Sequence, residues 1–356
     1  MIYKNLLGTL GIILALPVLV LIAFAFTLPI TISGIGYLLA CTLTISGLIT
    51  APWKFKYHSL LIFGGVIVAI LIAGARLVLG GQNTTSNLKM ITLPDGKENR
   101  WVSTIIDEQD SVIFGEAIFH RIGGVSTNEH EQITPALNSA YSEMRSTQAV
   151  FPSPFAGTYL NLQQPAAFDA IIIEPDIKRH PEIGVVFLHG FMGNVTAQCW
   201  EIAQAVNRFG AVTVCPSTGW RGEWWQPQGQ AILQVTFHYL REQGIQGFYL
   251  GGFSNGGFGI SRLASQLENE DDLLGLFFID GVYDGESIRD TGFPVLVIQG
   301  VQDERMPVTE ARRIAEIIGA SGTYVELEGD HFLIMKQPDL VQNAIAIWLE
   351  EHGPKK

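Results

Sequence analysis

Three residues far apart in the chain could together perform acyl chemistry: Ser254, Asp303 and His331. A serine hydroxyl is a poor nucleophile until a base accepts its proton, and that base needs an acid to orient it. Ser254 stands in Gly251-Gly252-Phe253-Ser254-Asn255-Gly256-Gly257, after the apolar run Phe248–Leu250 and before a helix-like pattern. Glycines on both sides of one hydroxyl point to a tight strand–turn–helix bend that lifts the serine out, the G-x-S-x-G elbow. Asp303 follows the apolar run Val295–Ile298, and His331 lies in Glu328-Gly329-Asp330-His331-Phe332, before the last helical pattern. Asp280 and Asp284, after Leu274–Ile279, are alternative acids. Asp330 reads as a loop residue, because adjacent side chains diverge. Acyl transfer also needs donors fixed where negative charge develops. The backbone N–H of Asn255 is one candidate, and that of Phe191, in Phe187-Leu188-His189-Gly190-Phe191-Met192-Gly193, is the other. His189 reads as structural, without a part in proton transfer.

These residues need a scaffold that brings strand ends together. Beyond Ile183 short apolar runs alternate with helical patterns, which implies a parallel sheet with helices on its faces. Strands are expected at Val185–Leu188, Val212–Cys215, Phe248–Leu250, Leu274–Ile279, Val295–Ile298 and Thr323–Leu327. Helices are expected near 196–208 and at Gln230–Gln243, Gly257–Leu267, Thr309–Ile318 and Pro338–Leu349. The preceding stretch, 81–180, reads as a tether with accessory elements: strands at Trp101–Ile106 and Val112–Phe119, and a helix over 129–145. Residues 181–356 form the catalytic domain on this reading.

From about 183 to 350 the chain resembles the α/β-hydrolase superfamily. The marks are Leu188-His189-Gly190-Phe191, Gly252-Phe253-Ser254-Asn255-Gly256-Gly257, Gly300-Val301-Gln302-Asp303 and Gly329-Asp330-His331, in that order. The serine stretch is most similar to the carboxylesterase, acyl-protein thioesterase and dienelactone hydrolase branches. The resemblance implies an α/β-hydrolase fold, with a mostly parallel sheet flanked by helices, and cleavage of an ester or thioester without a cofactor. It implies a Ser254–His331–Asp303 triad working through an acyl-enzyme. A serine peptidase or an acyltransferase on the same fold is the alternative chemistry, since fold does not fix substrate. A non-catalytic binding or membrane-scaffold module is the alternative outside enzymology.

The first 80 residues are of another kind. They hold Lys4, Lys54, Lys56 and Arg76 and no acidic residue, whereas all 34 acidic and the other 18 basic residues lie beyond, a net −16. So acidic a domain has no electrostatic footprint for nucleic acid. About 20 apolar residues cross a hydrocarbon core of ~30 Å, and three stretches qualify: about 6–26, 30–49 and 60–79. The second is interrupted by small residues that suit close helix packing. Arg76, near the end of the third, can snorkel to the interface, and Trp53 and Tyr57 sit where interfacial aromatics do. Ala23-Phe24-Ala25 resembles a leader cleavage site, but the apolar stretch is longer than a leader needs. The expectation is a multi-pass anchor in the cell membrane. Lys4, Lys54 and Lys56 fall on the cytoplasmic side by the positive-inside rule, so a third span carries the catalytic domain outside. Arg76 and Lys89 weigh against that orientation, and loss of one span would reverse it.

Other features leave alternatives open. Trp220, Trp224 and Trp225 follow a strand and could line a substrate pocket, pack their own loop, or dip into the bilayer interface. Cys199 and Cys215 could pair in an oxidising compartment or remain buried thiols, and Cys41 falls within the second span. No metal-ligand spacing occurs. Asn83-Thr84-Thr85 and Asn194-Val195-Thr196 match glycosylation acceptors. The partners implied are the membrane and a small-molecule or lipid-like acyl ester.

Overall fold

Apolar composition decides the first elements. The helices α1 (Ile2–Ala25), α2 (Ile32–Thr50) and α3 (His58–Gly81) occupy the three predicted stretches. All three are long and apolar enough to cross a membrane. The computed structural model describes residues 2–53, 55–81, 87–98, 100–147, 150–176 and 181–353. Lys54, most of the expected tether and the Asn83 acceptor lie outside these described residues. The chain divides into two units, Met1–Thr84 with Thr104–Thr134, and Thr85–Ser103 with Pro135–Lys356.

In the first unit the small residues serve close packing as expected. A Cβ on Gly47 in α2 would lie 2.7 Å from the His58 carbonyl oxygen and 2.9 Å from the Ile62 nitrogen, so α2 meets α3 backbone to backbone there. Arg76 departs from the expectation that it snorkels. It is only 6% exposed. Its guanidinium donates to the Thr104 carbonyl (2.7 Å), Ser33 Oγ (3.0 Å) and Asp107 (2.7 Å). A planar fork of donors facing three fixed oxygens is satisfied within the protein. Asp110 likewise accepts from the backbone N–H (2.8 Å) and hydroxyl (2.6 Å) of Thr31, at the start of α2.

The expected strands at Trp101–Ile106 and Val112–Phe119 are helical instead, as α4 (Val102–Ile105) and α5 (Glu108–Arg121). The governing signals are terminal. Asp107 caps the N–H of Gln109, Glu108 and Asp110 fill the first turn, and His120 and Arg121 the last. That charge order suits the helix dipole and outweighs the β propensity of a short apolar run. The expected helix over 129–145 is α6 (Thr127–Thr147).

Among the described residues the second unit is built on nine strands: β1 (Leu88–Leu93), β2 (Lys97–Glu98), β3 (Phe168–Ile173), β4 (Ile183–Leu188), β5 (Val212–Pro216), β6 (Gly247–Phe253), β7 (Leu273–Ile279), β8 (Val295–Gly300) and β9 (Gly322–Leu327). Their order is β2-β1-β3-β5-β4-β6-β7-β8-β9. From β5 to β9 all neighbours are parallel, while β1, β2 and β3 add an antiparallel edge. The helices are α7 (Phe155–Tyr159), α8 (Thr196–Asn207), α9 (Pro227–Glu242), α10 (Asn255–Leu267), α11 (Gly285–Asp290), α12 (Val308–Ile318), α13 (Leu333–Lys336) and α14 (Pro338–His352). All six strands and five helices expected beyond Ile183 are present, and the domain has the α/β-hydrolase fold. Strands β3, β4, β6 and β8 are buried almost throughout, which explains their continuous apolar runs in place of alternation. Cys199 on α8 and Cys215 on β5 are joined as a disulfide, with Cα atoms 6.1 Å apart.

Candidate active site

The parallel strands end on one side of the sheet, and their loops carry the candidate residues. Strand β6 runs straight into Ser254, which adopts φ 52° and ψ −120° before α10 begins. A left-handed non-glycine residue is strained and persists only where its surroundings hold it. The crossing of strand and helix is what requires Gly252: a Cβ there would lie 2.4 Å from the carbonyl carbon of Gly256.

Ser254 does not use its hydroxyl to cap α10. Oγ lies 2.9 Å from His331 Nε2, and His331 Nδ1 lies 2.8 Å from Asp303 Oδ2. His331 and Asp303 are each 5% exposed. The Asp303 carboxylate also accepts from the N–H groups of Arg305 (2.8 Å) and Met306 (2.9 Å), and from Gln299 Nε2 (3.2 Å). Donors converging on its oxygens suit an acid that must orient an imidazole.

The alternative acids are otherwise engaged. Asp280 is fully buried and accepts the Gly300 N–H (2.8 Å). Burial pushes its pKa well above the usual carboxylate range, and Asp303 and Asp330 nearby add to the rise. Asp284 caps α11 through Ser287. Asp330 receives the Lys336 ammonium (2.6 Å) and the Phe332 N–H (3.1 Å).

The loop after β4 lies against the serine: a Cβ on Gly190 would be 2.9 Å from Ser254 Cβ. His189 is buried, and its pKa is lowered to about 4 by desolvation, a hydrogen bond to the Gly190 carbonyl opposing the fall. Its Nε2 accepts the Thr218 N–H (3.2 Å), so Nδ1 carries the proton and donates to the Gly190 carbonyl (2.8 Å). That carbonyl shares a peptide plane with the Phe191 N–H, so the neutral ring sets the amide's orientation. Asn255 is the first residue of α10, where helical N–H groups lack an intrahelical acceptor. Its side-chain amide ties the elbow to the Arg221 carbonyl (2.8 Å).

The tryptophans separate into different environments. Trp224 is fully buried and gives its indole N–H to the His189 carbonyl (2.9 Å), so it packs the loop and does not line a substrate pocket. Trp220 stands 39% exposed, edge-on to Phe191 at 5.1 Å. Trp225 packs on Phe258, which meets Tyr283. Asn194, the second glycosylation match, is buried with its amide on the Cys215 carbonyl (2.9 Å) and Ser217 Oγ (3.0 Å). It is thus closed to a glycan. Sequence reasoning passed over Gln299, which bonds both Asp303 and the Met306 carbonyl, and Tyr159, whose hydroxyl reaches the Met192 carbonyl at 3.2 Å. A lone glutamine or tyrosine carries no spacing signal.

Residues 226–333 match the model of the alpha/beta hydrolase family. The match covers under a third of the chain and lies within the sheet domain, whose fold is that of the α/β hydrolases. Similar solved structures include Est1E from Butyrivibrio proteoclasticus, 16% identical over 52% of this chain and 94% of its own, with a TM-score of 0.44. XC6422 from Xanthomonas campestris, described as an a/b serine hydrolase without lid, is 18% identical over 54% of this chain and 92% of its own, also at 0.44. The esterase domain of a Rhodothermus marinus protein is 14% identical over 52% and 93%, again at 0.44. No curated protein matches the chain.

Proposed function

We propose that the protein is a membrane-anchored serine hydrolase of carboxylic esters or thioesters. The observation that carries the reading is the continuous hydrogen-bonded chain from Ser254 Oγ through His331 to Asp303, at 2.9 and 2.8 Å. In the reaction, Ser254 Oγ attacks the acyl carbon while His331 Nε2 accepts its proton. The N–H groups of Phe191 and Asn255 hold the developing oxyanion. Collapse breaks the bond to the leaving group, which receives the proton from His331. Water, deprotonated by the same imidazole, then attacks the acyl-serine and releases the acid. Asp303 holds the ring in the required tautomer and stabilises the imidazolium. Trp220 and Trp225 stand as candidate walls for the substrate, and the apolar helices suggest lipid-like esters at a membrane.

The same reading puts the catalytic domain on the extracytoplasmic side. A Cys199–Cys215 bridge suits an oxidising compartment. Arg76, held by Asp107, is removed from the free basic charge that would argue for the cytoplasm.

The test is hydrolysis of p-nitrophenyl esters from acetate to palmitate by the detergent-solubilised full chain, beside Ser254→Ala. Wild-type turnover is expected, reduced on the order of 10⁴-fold or more in the variant. Equal rates, or failure of an active-site-directed phosphonate to label Ser254, would remove the serine mechanism.

A further inference from the structure

Outside the strand ends, one segment reaches the oxyanion loop from an unexpected part of the chain: residues 150–164, which precede β3. Its helix α7 ends in Tyr159, whose ring packs on Phe155 at 4.6 Å. The Tyr159 hydroxyl donates to the Met192 carbonyl at 3.2 Å, with Met192 Sδ at 3.9 Å. The adjacent Thr158 closes over the next residue, since a Cβ on Gly193 would lie 3.0 Å from its Cγ2.

Met192 itself is the anomaly. It holds φ 81°, a left-handed conformation that glycine adopts freely and a side chain resists. It directly follows Phe191, whose N–H the proposed mechanism uses. If Met192 relaxed to negative φ, the chain on either side would turn, and the Phe191 amide would lose its aim at the carbon attacked by Ser254. His189 fixes that amide from the N-terminal side through the Gly190 carbonyl. The Tyr159 hydroxyl is the corresponding hold on the C-terminal side.

The strap carrying Tyr159 is itself anchored to the sheet. Gln163 makes a two-way pair with Asp169 on β3, its Nε2 donating to Oδ2 and its Oε1 accepting the Asp169 N–H, both at 2.8 Å. Asp169 is fully buried, so the anchor is rigid. Gln228 at the start of α9 adds a donor to the Gln163 carbonyl (2.6 Å), and Arg100 holds the Leu162 and Ala167 carbonyls (2.8 and 2.6 Å).

We propose that Tyr159 is a positioning residue of the active site, holding the left-handed Met192 so that the Phe191 amide is directed at the oxyanion. The proposal rests on the serine-hydrolase reading above and gives residues 150–164 a part in catalysis that their position in sequence does not suggest. Tyr159 touches no reacting atom. Its hydrogen bond therefore matters most in the transition state, when the amide must meet a full negative charge.

The experiment compares full-length wild type, Tyr159→Phe, Met192→Gly and the double variant on one p-nitrophenyl ester, with phosphonate labelling of Ser254 and thermal unfolding alongside. Tyr159→Phe is expected to lower kcat roughly tenfold, equivalent to about 1.4 kcal/mol, with KM within twofold and labelling slowed in parallel. In the Met192→Gly background the left-handed turn no longer needs holding, so the same tyrosine change should cost about threefold or less. A packing role alone would move the unfolding midpoint and leave this coupling absent. Unchanged kcat, a change confined to KM, or an equal loss in both backgrounds would each overturn the proposal while Ser254-dependent turnover persisted. Absence of Ser254-dependent turnover and labelling in wild type would instead bring down the hydrolase reading, and this inference with it.

Discussion

At the scale of single residues, the question is which carboxyl orients the imidazole of the proposed triad, since two aspartates lie in adjacent strand-end loops. Asp303 accepts two backbone N–H groups, a glutamine amide and His331, a set that stabilises negative charge. Asp280 is fully buried, accepts the Gly300 N–H, and has a pKa driven well upward by that burial against the pull of its backbone donors. A group that resists ionisation is a poor partner for an imidazolium. Asp303→Asn should therefore lower kcat on the order of 10³–10⁴-fold, by reversing the tautomer that His331 must hold. Asp280→Asn should leave kcat within about fivefold. Steady-state kinetics of the two variants side by side decides the matter, and a large loss from Asp280→Asn alone would reverse the assignment. The choice was only partly legible in the sequence. Ser254 and His331 stand out through their glycine contexts, whereas both aspartates follow apolar strands, and burial is a property of the assembled sheet.

At the scale of elements, α8 carries a buried acid that the chemistry does not use. Glu201 is 5% exposed and is bonded by Gln342 Nε2 at 2.7 Å. Burial first, then the Glu143 and Asp339 carboxylates, raise its pKa from 4.5 to about 7, with the Gln342 bond pulling the other way. Between those values the folded chain binds a proton that the unfolded chain has lost, so the stability due to this group falls as pH rises from about 4.5 through 7. Glu201→Gln removes the penalty while keeping an acceptor for Gln342. It should stabilise the domain by roughly 1–3 kcal/mol at pH 8, with the gain shrinking steadily toward pH 4.5. Denaturant unfolding at the two pH values measures it, and a gain independent of pH would contradict it. Helix α8 itself was legible from its apolar spacing, as were the strands β4 to β9. Beside β1, β2 and β3, which the sequence reading did not anticipate, the misread elements were α4 and α5, where Val102–Ile105 and Val112–Phe114 are short runs that either structure could bury, and only the acids around Asp107 distinguish them. Trp224 was ambiguous for a related reason. Three tryptophans in one loop look alike in sequence, and the fold alone decides that one of them is core.

At the scale of the whole molecule, charge is divided so sharply that it bears on how the chain lies across a membrane. The acidic sheet domain follows an apolar stretch, residues 1–80, whose only basic residues are Lys4, Lys54, Lys56 and Arg76. With three spans, the N-terminus and the loop holding Lys54 and Lys56 share one side, and the charge-free loop near Leu28–Thr31 faces the other. Lys and Arg in short loops favour the cytoplasm, which is the basis of the proposed extracytoplasmic placement of the sheet domain. Arg76 would oppose that only as a free charge at the membrane surface. Its guanidinium is instead buried against Asp107, Ser33 and the Thr104 carbonyl, so it enters the balance as half of a neutral pair. The disulfide between Cys199 and Cys215 supports the same proposal on an independent chemical ground, the redox poise of the compartment. Alkaline phosphatase fused after Lys356 should accordingly be active in intact bacterial cells, and a fluorescent protein at the same point dark. Replacing Lys4, Lys54 and Lys56 with glutamine while placing three lysines between Leu28 and Thr31 should shift the population toward the inverted signals, because it exchanges the charges that set the orientation and leaves the buried Arg76 pair intact. A bright fluorescent fusion and inactive phosphatase in the unaltered chain would mean that a span is lost or that the sheet domain stays in the cytoplasm. Cys199 and Cys215 would then be alkylated as free thiols in freshly lysed cells.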